Sequence, residues 1–168
     1  HKVITQLGNQ GHSSGTIRDF VEWIRAGAIG NVHTVHAVAE HVNSRIWQLP
    51  RLQEEHEVPP HLDWDLWLGP AQFRRYNPVY LPGSWRAWSP FGNGTLGDWV
   101  CHVVDPSFWA LDLGAPATIQ AEAKNYDPQK HADTFPAGSI VTFEFPAKGK
   151  RGPVKLVWFD GSEKPPRP

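Results

Sequence analysis

The sequence contains no methionine and a single cysteine, Cys101, and none of its apolar runs approaches the ~20 residues of a membrane-spanning helix. One cysteine excludes an internal disulfide, so a packed core has to hold the fold together. The missing long run excludes a helical membrane anchor within these residues. Excess charge of either sign is absent too: 16 basic residues stand against 17 acidic ones, and no basic run occurs. That balance argues against a nucleic-acid or anionic-membrane partner and suits a small neutral substrate. With no methionine, His1 is not a translation start, and the chain stops in Pro165-Pro166-Arg167-Pro168 with no closing element, so both ends are read as cuts. Any export signal would lie upstream, and the redox compartment stays open.

What remains is 168 residues, the size of one ordinary domain, rich in two side chains. Nine tryptophans and nine histidines suit a carbohydrate cleft, where aromatic faces stand beside ring nitrogens and carboxylates; equally, the tryptophans suit a core.

Lys2 to Leu7 is a short β-prone run that breaks at Gly8-Asn9-Gln10-Gly11-His12, a turn-forming cluster. Ser13 or Ser14 caps an amphipathic helix in which Ile17, Phe20, Val21 and Ile24 recur at helical spacing until Gly27 and Gly30 stop it. From Val32 to Val42 the pattern alternates: Thr34, His36, Val38 and Glu40 share one strand face with Val32, and His33, Val35, Ala37, Ala39 and His41 share the other. Arg45 to Trp88 is proline-rich with little periodicity, apart from one short helical turn in Asp63 to Pro70. A helix capped by Thr95 is expected next. Strands are expected over Ala117 to Lys124, Ser139 to Phe145 and Val154 to Phe159, the last two joined by the turn-rich Ala147 to Gly152. The second half therefore reads as antiparallel sheet.

The helix after Thr95 carries two stripes. Leu96, Trp99, Val100, Val103 and Val104 make an apolar one. Asp98, His102 and Asp105 fall at i, i+4 and i+7 and make a polar one, with a carboxylate one turn before an imidazole. A carboxylate beside an imidazole favours its protonated form and fixes its orientation, as acid/base chemistry on an alcohol requires. Plainer readings stand beside this: Asp98 complements the helix N-terminus, and Asp105, ahead of Pro106, is an N-cap first. A metal site of Asp98, His102 and His36 lacks any sharp spacing signature, so no metal is expected. Cys101 has no neighbouring base and reads as a packed small side chain.

The string Gly92 to Asp105, taken with Gly8-Asn9-Gln10-Gly11-His12 and the Ala26 to Gly30 helix end, resembles the Gfo/Idh/MocA oxidoreductases, closest to a bacterial subgroup with a GNQGH loop, an LDWDLWLGPA segment (Leu62 to Ala71), a WRxW segment (Trp85 to Trp88) and a late WFDG strand (Trp158 to Gly161). The resemblance implies an α+β fold, a mostly antiparallel open sheet with helices packed on one face. In the family this is the C-terminal, substrate-side partner of a Rossmann domain that holds NAD or NADP. Residues 1–12 would be the last strand and crossing loop of that truncated first domain, and residues 13–168 the substrate-side domain, incomplete at its C-terminus. By the same resemblance His102 exchanges a proton with a sugar or polyol hydroxyl and Asp98 orients it; Asn9, Gln10 and His12 lie near the nicotinamide, and the open sheet joins copies into a homo-oligomer.

The chain departs from the family pattern: it has no strand-G-x-G-x-x-G-helix fingerprint, and no E-K-P stands ahead of the Gly8–His12 loop, where the family's catalytic lysine belongs. These residues alone are not expected to turn over. Trp85, Arg86 and Trp88 are substrate-side candidates, an indole face stacking on a pyranose and a guanidinium bonding hydroxyls, with loop anchoring as the equal alternative for both tryptophans. Trp64 and Trp67 read as packing, and His36 and Glu40 as pocket-lining residues or a solvated edge. Three functions stay in view: a sugar, polyol or glycoside dehydrogenase; a glycosidase of the same fold working through transient oxidation and elimination; and a non-catalytic carbohydrate-binding or oligomerisation module. Location, cytoplasmic or exported to a periplasm, is open.

Overall fold

The computed structural model describes residues 2–6 and 8–167. A helix α1 (Gly15–Arg25) leads to strand β1 (Thr34–Ala39); a short helix α2 (Trp64–Leu68) precedes the pair α3 (Gly94–Val103) and α4 (Asp105–Ala110), and three strands follow, β2 (Thr118–Ala123), β3 (Gly138–Phe145) and β4 (Val154–Gly161). The strands form one sheet in the order β1-β4-β3-β2. Two of its pairings, β2 with β3 and β3 with β4, are antiparallel, and β1 joins the edge of β4 in parallel. The α+β architecture expected from the sequence is therefore present, with one parallel edge strand supplied by the first half of the chain.

Periodicity explains which face is buried. On β1 the residues Ala37 and Ala39 face inward with Val141 and Phe145 of β3 and Val154, Leu156 and Trp158 of β4. Leu96, Trp99, Val100 and Val103 of α3, followed by Val104, cover that face, so the apolar stripe read from the helix is the one that packs. Trp158 and Leu156 are at most 1% exposed. Side chains of this size each contribute roughly 1.5–3 kcal/mol on full burial. Asp160, two residues on along the same face, is buried yet satisfied: it accepts from Trp158 Nε1 at 2.7 Å and from Ser139 N and Oγ at 2.7 and 2.9 Å. His36 and Val38 belong to the opposite face, in register with Val157 and Phe159.

The ends of α1 show the local chemistry. Gly27, at φ +82°, closes it: the Ala28 N–H reaches Trp23 O and the Gly27 N–H reaches Ile24 O, both at 3.0 Å, a paired C-terminal motif that needs a left-handed residue. Arg25 then donates to Trp109 O and Ala110 O at 2.8 and 3.4 Å, neutralising the C-terminal carbonyls of α4.

The proline-rich middle builds a second, aromatic cluster. Three 3-10 segments, Ile46–Gln53, Pro78–Tyr80 and Ser84–Ala87, and the single turn of α2 bring together Trp64, Leu68, Val79, Tyr80 and Trp88. Prolines remove helical donors and hold these segments to short pieces. Trp64 stacks on Trp67 with ring centroids 4.7 Å apart. The cluster is tied to the sheet domain through a bridge between Trp88 and Thr134 and through Thr134 Oγ1, which donates to Ala87 O at 2.6 Å and accepts from Arg45 N at 2.9 Å.

Several expectations are corrected here. Lys2 to Gln6 forms no strand among the described residues, and Leu7, which ends the run expected to be one, lies outside them. An isolated β-prone run has no ladder partner for its backbone groups. Ser14 occupies the cap position of α1 without a side-chain bond. Thr95 lies inside α3 and does not cap it, because its hydroxyl is engaged by Asn43. Asp105 opens α4 from within the helix, and its carboxylate turns to His12. Cys101 is exposed and is not packed.

Candidate active site

Glycine starts the site. Gly94, at φ +68°, begins α3, and a Cβ there would fall 2.6 Å from the Phe135 ring. A Cβ on Gly92 would fall 2.4 Å from Arg86 O and 2.6 Å from Arg86 Cα, so only glycine lets this loop lie against the backbone of Arg86. The Gly92–Gly94 pair therefore holds the start of α3 against the segment that carries Arg86.

Asn43, four residues beyond β1, is gripped by the first turns of α3. Its N–H donates to Thr95 Oγ1 at 2.8 Å and its Nδ2 donates to Asp98 Oδ2 at 3.0 Å. Arg86 Nε approaches the same Oδ2 at 3.4 Å, while its guanidinium lies over the Trp85 ring, 4.6 Å from the centroid. The Oδ1 atom of Asp98 accepts no hydrogen bond from the described residues. Asp98 is thus a half-buried carboxylate with one oxygen held and one free to accept from a hydroxyl.

His102 is exposed one turn further along α3. No hydrogen bond joins it to Asp98 among the described residues; its ring meets the Trp99 ring edge to face at 5.7 Å, and Trp99 in turn is stacked by His41 at 4.2 Å. Trp99, held by the core on one side and His41 on another, is the ring that borders the exposed imidazole that Asp98 was expected to orient.

A second carboxylate-imidazole contact does form. His12 Nδ1 lies 3.0 and 2.9 Å from the two oxygens of Asp105, and the ring stacks on Trp109 at 4.3 Å. This pins the Gly8–His12 loop to the junction of α3 and α4. Asn9, at φ 75°, precedes the 3-10 turn Gln10–Ser13, and Gln10 is exposed beside it.

The structure brings together Asp98, Arg86 and Trp85, with His102 on the same helix as Asp98, and separates the others. His36 lies on the sheet face away from α3, because strand side chains alternate and it is Ala37 and Ala39 that meet the helix, and Glu40 falls just past the end of β1, exposed. His36 packs instead edge to face with Phe159 at 5.5 Å. A metal triad of Asp98, His102 and His36 is not assembled, and among the described residues no group of three or more His, Cys, Asp or Glu converges to hold an ion. Trp88 is 0% exposed and donates from Nε1 to Val79 O at 3.0 Å, so of its two readings the anchor is the one realised: no face is open for a sugar. Trp64 is core, as read. Asn43 went unread because it belongs to no spaced pattern, and His41 was read only as sharing a strand face with Ala37 and Ala39. Only the turn after β1 delivers them to α3.

Fit to a dinucleotide is poor within these residues. The glycine-led helix α1 follows a 3-10 turn, with no strand before it among the described residues, so these show no strand-turn-helix cradle for phosphates. A Glu-Lys-Pro triplet does occur at Glu163–Pro165, but it follows β4, and its carboxylate is taken by Lys124 Nζ at 2.9 Å. Its place in the chain is not that of the family's catalytic lysine.

A family model described as an oxidoreductase family, C-terminal alpha/beta domain, matches residues 15–149 of this chain. No curated protein matches it.

Proposed function

This chain belongs to the Gfo/Idh/MocA oxidoreductase family, as its C-terminal alpha/beta domain, and on that premise we propose that it forms the substrate wall of an NAD(P)-dependent enzyme that oxidises or reduces a sugar, polyol or glycoside hydroxyl. The observation that carries this reading is the cluster at the first turns of α3, where Asn43 and Arg86 hold one oxygen of Asp98 and leave the other free, with His102 exposed one turn on.

The chemistry follows from these groups. Asp98 Oδ1 accepts a hydrogen bond from a substrate hydroxyl, and Arg86, whose guanidinium is only partly used by Asp98, donates to a neighbouring one. His102 takes the hydroxyl proton in the oxidative direction and returns it in the reductive one. The nicotinamide, bound outside the cradle-less residues of this chain, supplies the hydride acceptor or donor. Trp99, backed by His41, borders the imidazole on one side.

The test is kinetic, on the full-length protein with NAD and NADP and a panel of sugars. Replacing His102 by Ala lowers kcat/KM on the order of 10²–10⁴-fold, the usual worth of a positioned acid/base group. Asp98→Ala loses activity with a raised KM, since substrate positioning goes with it. Turnover that survives both changes would overturn the reading. Accumulating reduced nucleotide marks a dehydrogenase, and free sugar without net reduction marks the oxidation-elimination glycosidase.

A further inference from the structure

A groove of about 490 Å³ runs through the aromatic cluster beside Arg86, lined by Trp67, Pro70, Ala71, Pro82, Trp85 and Phe91 among others. No lining side chain carries a charge, and their only polar side-chain groups are the two indole N–H donors. Main-chain groups supply the rest of the polar surface. The two indoles are held in place by neighbours: Trp67 stacks on Trp64 and meets Phe91 of the same lining edge to face at 5.0 Å, and Trp85 carries the Arg86 guanidinium. Each has one face committed to the protein. Aromatic walls with scattered hydrogen-bonding groups and no charge suit a neutral pyranose, whose C–H face stacks on an indole while its hydroxyls reach main-chain acceptors. Trp85 connects this groove to the site, because the arginine on its ring is the one that reaches Asp98.

We propose that the groove is a subsite for a second, uncharged sugar ring, so that the substrate is a di- or oligosaccharide whose reacting ring lies at Asp98 and His102 and whose neighbouring ring lies between Trp67 and Trp85. This rests on the sugar oxidoreductase reading and narrows its substrate. A second stacked ring adds about tenfold in affinity, the order of one aromatic contact.

The test needs no nucleotide. The protein is titrated with cellobiose, lactose and maltose and with glucose and galactose, following indole fluorescence and the indole N–H resonances. The expected result is that at least one disaccharide binds about tenfold more tightly than its component monosaccharides and shifts the Trp67 and Trp85 signals. Trp67→Ala removes that advantage. Because that change also strips the stack on Trp64, Ala71→Phe serves as the second variant: it fills the groove from a half-buried loop position, leaves the stack intact and abolishes the advantage. Equal binding of mono- and disaccharides, no binding by any of them, or an advantage that survives Ala71→Phe overturns the proposal. A disaccharide preference in a protein whose turnover is indifferent to His102→Ala would instead leave the groove standing and remove the redox reading.

Discussion

Single residues divide into those proposed for chemistry and those that hold the fold in place. Trp88 belongs to the second group. Truncating a fully buried tryptophan to Ala costs about 3–5 kcal/mol, so Trp88→Ala is expected to lower the urea midpoint steeply. Lost sugar binding at unchanged stability would return Trp88 to the ligand-contact role. Gly92→Ala forces a methyl group to within 2.4 Å of the Arg86 carbonyl oxygen. The backbone has to shift, at roughly 1–3 kcal/mol, and the Arg86–Asp98 contact moves with it. Its signature is a raised KM alongside the stability loss, whereas a glycine kept for chain flexibility alone would change stability only. That Asp98 and His102 share one helix was legible from their spacing. That Asp98 is held by Asn43 and Arg86 was not, because those contacts link residues up to 55 positions apart.

At the scale of elements, α3 decides the site. Its apolar stripe was read correctly, since a 3.6-residue period meets one sheet face whatever the neighbours are. Its cap was misread, because a threonine hydroxyl near a helix start serves whichever donor the tertiary fold delivers. Here that donor is the Asn43 N–H. Thr95→Val keeps the shape and leaves this N–H without its acceptor, a loss of about 1–3 kcal/mol for a buried donor. Hydrogen exchange at Asn43 is expected to quicken well beyond that of the β1 amides; equal protection would mean that the bond contributes nothing. The Gly8–His12 loop is tied down by Asp105 alone among carboxylates. Asp105→Ala is therefore expected to raise proteolysis between residues 8 and 14 while leaving the sheet amides as protected as before, and an unchanged cleavage pattern would show that stacking on Trp109 suffices.

Over the whole molecule, ion pairs add links between strands that are not neighbours in the sheet. Lys124, after β2, bonds Glu163, after β4, and this partner holds the Glu163 carboxyl below its ordinary value and the Lys124 ammonium above its own. The pair's contribution is complete between the ordinary values of 4.5 and 10.5. It is lost as pH falls through the lowered carboxyl value or rises through the raised ammonium value. Glu163→Gln should flatten part of the acid limb of the melting temperature, and added salt should shrink the difference from the parent because the lysine is exposed. The sequence by itself determined the α+β class, the β3–β4 hairpin, the apolar stripe of α3 and the family, since these follow from local periodicity, turn chemistry and an ordered string of motifs. Only the tertiary structure decided that β1 joins the sheet in parallel, that Trp88 is core and His36 faces away from α3, that Asp105 turns to His12, and that the long proline-rich stretch folds into an aromatic groove beside Arg86. Burial and sidedness depend on what packs on the far side of each residue, and a chain read one position at a time does not contain that.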